Sequence, residues 1–339
     1  MRALRLEGVR MLRPAEVEEP GPCGEGEALV RVHRVGICGT DHSAYLGKMP
    51  FVTFPRILGH ELGVEVLAVG PGVEHVQVGD RCAVEPYLND PNSPASRRGK
   101  PNCCERLAVL GVHIDGGMRP RLVLPARKLH PSTRLSYDQL ALVETLAIGA
   151  HAVSRSGLEP GQTCLLIGAG PIGLAALQFI RLAGGRPIVV DRIPSRLDFC
   201  QRLGVCDTLL AGDDLAERVR SRNDGLLPDV VIDATGNPQS MSAALGLIAH
   251  GGKVVYVGLT GEEVRFRHSD FHRVEGTLLC SRNALPDDFR RIIGLIEAGR
   301  IDTRPWMTHR CTLDELPEAM PGFLKLESRV VKAIVEVAD

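Results

Sequence analysis

The chain has 339 residues, of which 44% are hydrophobic and 24% charged, and its formal net charge is -1. This length allows two domains of ordinary size, and the small net charge gives no bulk attraction to nucleic acid or to an anionic membrane. Aromatic residues make up only 4%, which disfavours a stacking platform for single-stranded nucleic acid. The apolar runs are too short to cross a bilayer. We therefore expect neither a nucleic-acid partner nor a membrane partner.

The first alternating run, Ala3-Leu4-Arg5-Leu6, is typical of a strand and not of a secretory signal. Ten cysteines are scattered along the chain. We expect a cytoplasmic protein with reduced thiols, which leaves cysteines available for metal binding or catalysis.

The first part of the chain, to about Ala126, is predicted to be an antiparallel, barrel-like domain. The runs Ala28–His33 and Val64–Val69 are rich in β-forming residues, and Gly and Pro punctuate the sequence between such runs. Near Tyr137 the pattern changes, because Asp138–Ser154 has the spacing of an amphipathic helix.

A regular alternation of strands and helices follows. The predicted strands are Cys164–Ile167, Ile188–Val190, Val230–Ile232 and Val254–Val257, and the predicted helices are Pro171–Leu182 and Ser240–Ile248. This alternation predicts a parallel, doubly wound sheet.

The last stretch is predicted to return to the first domain. It contains a predicted helix, Phe289–Ala298, and an alternating strand pattern over Val330–Val337. The predicted boundaries are therefore residues 1–147 for the first domain, 148–284 for the doubly wound domain and 285–339 for the returning segment.

A glycine-rich turn lies between a predicted strand and a predicted helix. It reads Gly168-Ala169-Gly170-Pro171-Ile172-Gly173, and this context is what makes a Gly-x-Gly-x-x-Gly motif informative. The glycines allow a tight turn, a close approach to a pyrophosphate and close packing of the helix on the strand. The motif predicts a dinucleotide site.

The predicted second strand of this domain ends at Asp191. A carboxylate there accepts hydrogen bonds from ribose hydroxyls and repels a 2′-phosphate, which favours NAD over NADP. Arg192 and Arg196 follow and could instead accept a phosphate. Thr235 and Gly258 lie at later strand ends, where further cofactor contacts are expected.

A thiol, an imidazole and carboxylates suggest a zinc site in the first domain. Cys38, His60 and Glu144, with Glu61 beside His60, offer the donor types of a catalytic zinc centre that has three protein ligands and one open position. Zinc held in this way acts as a Lewis acid toward an alcohol oxygen. Taken alone, each of these residues is more typical of a core or a surface position than of a metal site. The spacing between them does not show which ones bind the metal.

The ordered motifs resemble those of the zinc-dependent medium-chain dehydrogenases over essentially the whole chain. They are Gly36-Ile37-Cys38-Gly39-Thr40-Asp41, Gly59-His60-Glu61 and Gly168-Ala169-Gly170-Pro171-Ile172-Gly173. The resemblance implies an α/β protein with a GroES-like β-barrel catalytic domain and a Rossmann doubly wound parallel-sheet domain. It also implies NAD, one catalytic zinc on Cys38, His60 and either Glu61 or Glu144, and a homo-oligomer, either a dimer or a tetramer.

A glutamate at position 144 resembles the polyol, threonine and sugar-acid branch of this family. Three segments are most similar to galactonate-type dehydrogenases: Asn102-Cys103-Cys104-Glu105, Gly111-Val112-His113-Ile114-Asp115-Gly116-Gly117 and Ser281-Arg282-Asn283-Ala284. The implied partner is a small hydroxylated molecule, with Arg282 and Asn283 as candidate substrate contacts. An arginine suits a substrate carboxylate, although a surface ion pair is an equal alternative.

The chain departs from the family pattern at the proton relay. Thr40 is the expected first proton acceptor, but the family's relay histidine would fall at Ser43, whereas this chain has His42 one place earlier. Ser43 could pass the proton on through water, and His42 is either part of the relay or an exposed loop residue. The glycine after His60 is also displaced, to Gly63, and Thr145 follows Glu144 where this branch usually has proline.

A second departure concerns the structural zinc that many family members carry on a lobe with four cysteines. Aligned on Cys104, the other three positions hold Asp90, Ser93 and Ser96. One thiolate cannot hold such a zinc. We predict that this metal is absent and that the lobe is looser.

Two other classes of function stay open. One is a zinc-free, NADPH-dependent enone or quinone reductase, which Cys38, His60, Glu144 and Asp191 disfavour. The other is a catalytically silent relative that only binds dinucleotide.

Overall fold

The structure is a computed structural model and describes residues 1–337. Its strands, in chain order, are β1 Arg2–Leu6, β2 Leu12–Glu16, β3 Glu27–Gly36, β4 Glu61–Val69, β5 Arg81–Val84, β6 Tyr87–Leu88, β7 Ala108–Val109, β8 Arg121–Pro125, β9 Leu129–Pro131, β10 Thr163–Ile167, β11 Arg186–Asp191, β12 Thr208–Leu210, β13 Val230–Asp233, β14 Lys253–Tyr256, β15 Thr277–Cys280, β16 Met307–Thr312 and β17 Lys332–Glu336. Its α-helices are α1 Gly39–Tyr45, α2 Pro94–Arg97, α3 Tyr137–Ser156, α4 Pro171–Leu182, α5 Pro194–Arg202, α6 Leu215–Ser221, α7 Pro238–Ala244, α8 His268–Arg273, α9 Pro286–Glu297 and α10 Leu316–Phe323.

The chain divides into two compact units. The first comprises Met1–Glu144 together with the C-terminal segment from Leu285, and the second comprises Thr145–Ala284. The boundary between Glu144 and Thr145 lies inside α3, so this helix contributes residues to both units.

The first unit is built on a seven-stranded sheet. Strands β16, β17, β3, β4, β5 and β9 follow one another, and β8 also pairs with β3. Every pairing is antiparallel except that of β16 with β17. Along β3 the side chains of Ala28, Val30 and Val32 are buried in the core, as the alternating pattern predicts. The C-terminal strand β17 pairs directly with β3.

The second unit contains a six-stranded sheet in the order β12-β11-β10-β13-β14-β15. All five pairings are parallel, and this is the strand order of a doubly wound nucleotide-binding sheet. Every residue of β10 is buried, as expected for a central strand covered on both faces. The predicted α/β fold with a Rossmann sheet is confirmed.

One helix differs from its prediction. The sequence predicts Ser240–Ile248, whereas α7 begins at Pro238 and ends at Ala244. It begins earlier because the Asn237 side chain accepts a hydrogen bond from the Ser240 backbone N–H (3.0 Å), which is a standard N-cap. It ends earlier, at Ala244, because the following Gly246 disfavours helix, and the chain continues in turns.

Within residues 1–337 all ten cysteines are free thiols. Among the helices of this described range, none combines the length and the apolar character needed to cross a bilayer.

Asp138, in the first turn of α3, accepts hydrogen bonds from two arginines of the first unit. Arg34 Nε lies 2.8 Å from Oδ1, and Arg310 donates to both carboxylate oxygens. Burial alone would raise the pKa of Asp138, but the two guanidinium groups outweigh burial and lower the pKa. Because its pKa is lower in the folded state, ionised Asp138 stabilises the fold at pH values above its pKa in the unfolded chain. This stabilisation is lost as the pH falls through the pKa that Asp138 has in the folded protein.

We predict that Asp138→Asn lowers the free energy of unfolding at pH 7 by about 1 kcal/mol. The deficit should shrink below about pH 4, where the wild-type carboxylate begins to be protonated in the unfolded chain. Urea unfolding at pH 7 and pH 3 measures both values. Asp287→Asn is the matched control, because the ion pair of Asp287 with Arg290 is largely exposed to solvent. Equal deficits for Asp138→Asn at the two pH values would contradict the assignment.

Candidate active site

Asp41 joins the two chain segments that carry Cys38 and His60. The Cys38 backbone N–H donates to Asp41 Oδ2 (2.9 Å), which closes the first turn of α1. Asp41 is buried, and its Oδ1 accepts from the Gly59 N–H (3.4 Å) and lies 3.8 Å from His60 Nδ1. One carboxylate therefore holds the start of α1 against the turn before β4.

Cys38, His60 and Glu61 are brought together. One ligand atom from each lies within 4.8 Å of the other two. His60 is buried, and its Nδ1 has no hydrogen-bond partner. Buried ring nitrogens normally have a partner, so an unsatisfied nitrogen beside a thiol and a carboxylate fits a zinc ligand set.

The electrostatics of His60 agree with a metal-ligand environment. Burial alone would lower the pKa of His60, but the thiol group of Cys38 and the carboxylates of Asp41 and Glu144 outweigh burial and raise the pKa well above its ordinary value. Since a metal binds the unprotonated imidazole, protonation of His60 and metal binding compete.

Glu61 is fully buried and forms an ion pair with Lys332 of β17. The Lys332 Nζ lies 2.6 Å from Oε1 and 2.7 Å from Oε2 of Glu61, and it also donates to the Ile37 carbonyl oxygen (3.2 Å). No motif in the sequence identifies Lys332 as part of the site. Its only signal is a lysine inside an apolar strand pattern, which indicates a buried charge that needs a partner.

Glu144, near the middle of α3, is the second carboxylate of the site. It is buried, and its Oε1 accepts a hydrogen bond from the Tyr87 hydroxyl. Burial raises the pKa of Glu144, although His60 opposes this shift. The compact group found among residues 1–337 contains Glu61 and not Glu144. Tyr87 was also missed, because nothing in its local sequence indicates a buried hydroxyl.

The candidate proton relay lies on α1. Thr40, His42 and Ser43 are all half-buried residues of this helix. The His42 Nε2 is buried without a hydrogen-bond partner, and burial lowers the pKa of His42. The structure thus places all three residues in the helix that begins directly after Cys38.

The glycine-rich turn has the backbone that the motif predicts. Gly168 has φ of +98°, a conformation that favours glycine. A Cβ at Gly173 would lie 1.7 Å from the Gly168 carbonyl oxygen, so position 173 admits no side chain. Gly170 is the N-cap of α4, and Pro171 and Ile172 form its first turn, which leaves the helix N-terminus free to receive a phosphate.

Asp191 lies against this turn at the end of β11. Its Oδ2 accepts from the Ala169 N–H (2.7 Å), and its Oδ1 accepts from the Ile193 N–H (2.8 Å). Arg196 Nη1 lies 3.5 Å from Oδ2, and Arg192 is exposed. The acid is thus fixed beside the glycines, with one arginine at hydrogen-bonding distance.

The turn after β13 is held by a buried aspartate. Asp233 accepts hydrogen bonds from the Thr235 N–H and hydroxyl (2.9 and 2.7 Å) and from the Ser240 hydroxyl (2.6 Å). A Cβ at Gly258 would lie 2.1 Å from the Gly236 nitrogen. Thr235 and Gly258 therefore belong to two loops that pack closely at the carboxyl edge of the sheet.

The candidate substrate contacts directly follow β15 and Ser281. Arg282 is exposed. Asn283 has a left-handed backbone with φ of +54°, and its Nδ2 is buried without a hydrogen-bond partner. Asparagine is one of the few residues that adopt this conformation readily.

The lobe around Asp90 does not fit a structural zinc. Ser93 and Ser96 hydrogen-bond to each other (3.0 Å), and Asn89 donates to Ser96 (3.0 Å). The Asp90 N–H donates to the Cys104 sulfur (3.4 Å), and the Asp90 carboxylate pairs with Arg106. Hydrogen bonds connect these side chains where the family pattern has four thiolates.

Comparison with known proteins identifies the family. Residues 24–134 match the alcohol dehydrogenase GroES-like domain, and residues 171–298 match the zinc-binding dehydrogenase domain. The chain is 37% identical to the L-galactonate-5-dehydrogenase of Escherichia coli K12, over 92% of each protein. The chain therefore belongs to the zinc-dependent medium-chain alcohol dehydrogenase family. The predicted GroES-like domain and the resemblance to galactonate-type enzymes are both confirmed.

Solved structures agree with this assignment. One is a protein from Escherichia coli CFT073, described as a short chain alcohol dehydrogenase in complex with NADH. It is 29% identical to this chain with a TM-score of 0.92, and the match covers 99% of each chain. A putative zinc-binding dehydrogenase from Sinorhizobium meliloti 1021, bound to NADP, is 30% identical with a TM-score of 0.90, over 99% of this chain and 98% of that one. The family thus includes structures with either coenzyme.

Proposed function

We propose that this protein is a zinc-dependent dehydrogenase that transfers hydride from a secondary alcohol of a polyol, a sugar acid or a related hydroxylated metabolite to NAD. The observation that carries the proposal is the half-buried Cys38 thiol beside the buried His60 imidazole and two buried carboxylates, in a chain that also has a dinucleotide turn. The relation to L-galactonate-5-dehydrogenase supports a sugar acid or polyol as substrate.

Cys38 and His60 would hold one zinc together with a carboxylate from Glu61 or Glu144. When bound, zinc supplies Lewis-acid polarisation of the substrate's alcohol oxygen. Thr40 accepts the hydroxyl proton, and Ser43 or His42 passes it toward solvent. Arg282 and Asn283 are proposed to contact the substrate, where an arginine suits a carboxylate.

The coenzyme is held by the second unit. The N-terminus of α4 and the Gly168–Gly173 turn bind the pyrophosphate, while Thr235 and Gly258 contribute from the neighbouring loops. NAD is favoured because the Asp191 carboxylate would repel a 2′-phosphate. If the preference for NAD is incomplete, Arg196 and the exposed Arg192 are the residues that would bind the 2′-phosphate of NADP.

We also propose a homo-oligomer. β15 is an edge strand of the six-stranded sheet, and its Leu278 is 39% exposed. An uncovered edge with apolar side chains favours pairing with another chain. Light scattering of the purified protein gives the number of subunits, and a concentration-independent monomer would exclude the proposal.

We predict about one zinc per chain in the purified, desalted protein, as expected for a catalytic site without a structural one. NADH should form with a panel of polyols and aldonates, and a chelator should abolish this activity. Elemental analysis and absorbance assays with NAD and NADP check both expectations. Chelator-insensitive consumption of NADPH with enones would favour the reductase, and dinucleotide binding without turnover of any alcohol would favour a silent relative.

A further inference from the structure

Two histidines lie one turn apart on the short helix α8 of the second unit. His268 and His272 have the i, i+4 spacing, which brings two side chains to the same face of a helix. Their ring centroids are 5.6 Å apart, and the ring planes are tilted by 46°. Neither ring has a hydrogen bond or an ion pair with another residue of the range 1–337. The two imidazoles therefore form a pair whose nitrogens are not used by the protein itself.

The distance between the rings suits a shared metal ion. Zinc binds histidine nitrogens at about 2.0–2.1 Å, so two nitrogens of one ion lie within about 4 Å of each other. Ring centroids 5.6 Å apart permit this separation, because each nitrogen lies on the rim of its ring. A zinc-binding His-Glu-x-x-His helix presents its two histidines with the same spacing. The pair can thus chelate one ion without a change in the backbone of α8.

Both rings are accessible from solution. No residue of α8 is buried, and the two histidines are exposed. Other exposed histidines use a ring nitrogen within the protein: His75 Nε2 donates to the Ala126 carbonyl oxygen (2.8 Å), and His113 Nδ1 accepts from the Val109 N–H (3.1 Å). The pair on α8 therefore offers two nitrogens that an ion can reach without breaking a hydrogen bond.

The charges around α8 do not exclude a cation. Residues 262–275 contain more carboxylates than guanidinium groups: Glu262, Glu263, Asp270 and Glu275 against Arg265, Arg267 and Arg273. The pair has no preformed third ligand, since the compact group of three found among residues 1–337 is Cys38, His60 and Glu61. Water would fill the remaining coordination positions, so an ion on α8 is held less firmly than one with three or four protein ligands.

We propose that His268 and His272 form a second, exchangeable binding site for a divalent ion of the late transition metals, such as nickel, copper or zinc. Imidazole ligands suit these ions, whereas magnesium and calcium prefer oxygen ligands. The site belongs to the second unit, whereas Cys38 and His60 belong to the first, and it does not depend on the proposed dehydrogenase activity. Binding should also order α8, because a helix of six residues is marginal by itself and the chelate fixes one full turn.

The test is a calorimetric titration of the untagged, desalted protein with nickel at about pH 8, where protons compete little for imidazole. Two imidazoles fixed on one helix act as a bivalent ligand, so either His268→Ala or His272→Ala should weaken nickel binding by on the order of 100-fold. The double variant should bind little more weakly than either single variant, because one substitution already removes the chelate. Magnesium should not compete with nickel.

His272→Ala/Arg273→His is the matched control. It keeps the number of histidines but moves one of them to position i+5, on another side of the helix, so it should bind nickel as weakly as His272→Ala. Hydrogen exchange locates the ion, since nickel should slow exchange in residues 268–276 of the wild type and not in either single variant. Nickel that binds at Cys38 and His60 would appear equally in the wild type and in the α8 variants.

The four proteins decide the proposal without reference to activity. The substitutions lie on an exposed helix and remove no buried contact, so all variants are expected to fold. Equal nickel affinity of the wild type and His272→Ala would overturn the proposal, and so would wild-type affinity in the control with the relocated histidine. Slowed exchange outside residues 268–276 alone would place the ion elsewhere and would also overturn it.

Discussion

His60→Ala is expected to remove the zinc and to lower turnover by at least about 1000-fold, which corresponds to several kcal/mol of Lewis-acid stabilisation. The imidazole is buried beside Cys38, and its Nδ1, 3.8 Å from Asp41 Oδ1, makes no hydrogen bond, so no hydrogen bond has to break at this nitrogen when the ring binds a metal. Neither of the two carboxylates can replace a nitrogen ligand without leaving its present donor, Lys332 or Tyr87.

The measurement combines zinc content by elemental analysis with turnover on the best alcohol of the panel. Unfolding curves must show that the variant folds, since truncating a buried histidine leaves a small cavity. His250→Ala is the control, because His250 is exposed and belongs to the second unit. A His60→Ala protein with one zinc and full turnover would exclude His60 as a ligand and, with it, the proposed chemistry.

Local signals explain which parts of the fold could be predicted. α4 occupies the predicted range, Pro171–Leu182, because a glycine turn, a proline in the first turn and an apolar run all fix its limits locally. α7 was misplaced because the Asn237 cap competes with a weak pattern. In both cases the determining contacts are within a few residues in sequence.

The site could be predicted only as far as its residue types. Cys38, His60 and Glu61 could be named from motifs, and the structure brings them together. Lys332 and Tyr87 could not, because their partners are 271 and 57 residues away along the chain. Contacts at such separations depend on sheet register, and a single sequence contains no direct signal of register between distant strands.

The lobe around Asp90 could be described from the sequence only by the thiolates that it lacks. The sequence shows that Asp90, Ser93 and Ser96 stand where thiolates are expected. It does not show that Ser93 and Ser96 bond to each other or that Asp90 pairs with Arg106. The expectation of a looser lobe follows from the missing metal alone, and it stays a prediction.

Gly173→Ala is expected to weaken NADH binding by about 10- to 100-fold and to lower the free energy of unfolding by about 1–3 kcal/mol. The added Cβ would lie 1.7 Å from the Gly168 carbonyl oxygen, a distance at which backbone must move. The Gly168 N–H donates to the Val190 carbonyl oxygen (2.7 Å), so a shift of the turn also disturbs the strand that ends at Asp191. Coenzyme affinity and stability should therefore fall together.

Gly294→Ala is the matched control for this prediction. Gly294 is an exposed helical glycine of α9, and a Cβ there would meet nothing within 4 Å. Alanine should therefore stabilise the protein slightly, by up to about 1 kcal/mol, because it has the higher helix propensity. Titration of NADH by fluorescence, together with unfolding curves of both variants, separates a specific effect on the turn from a general effect of a methyl group. If Gly173→Ala bound NADH as tightly as Gly294→Ala does, the close approach of α4 to the Gly168 carbonyl would not be what shapes the coenzyme site.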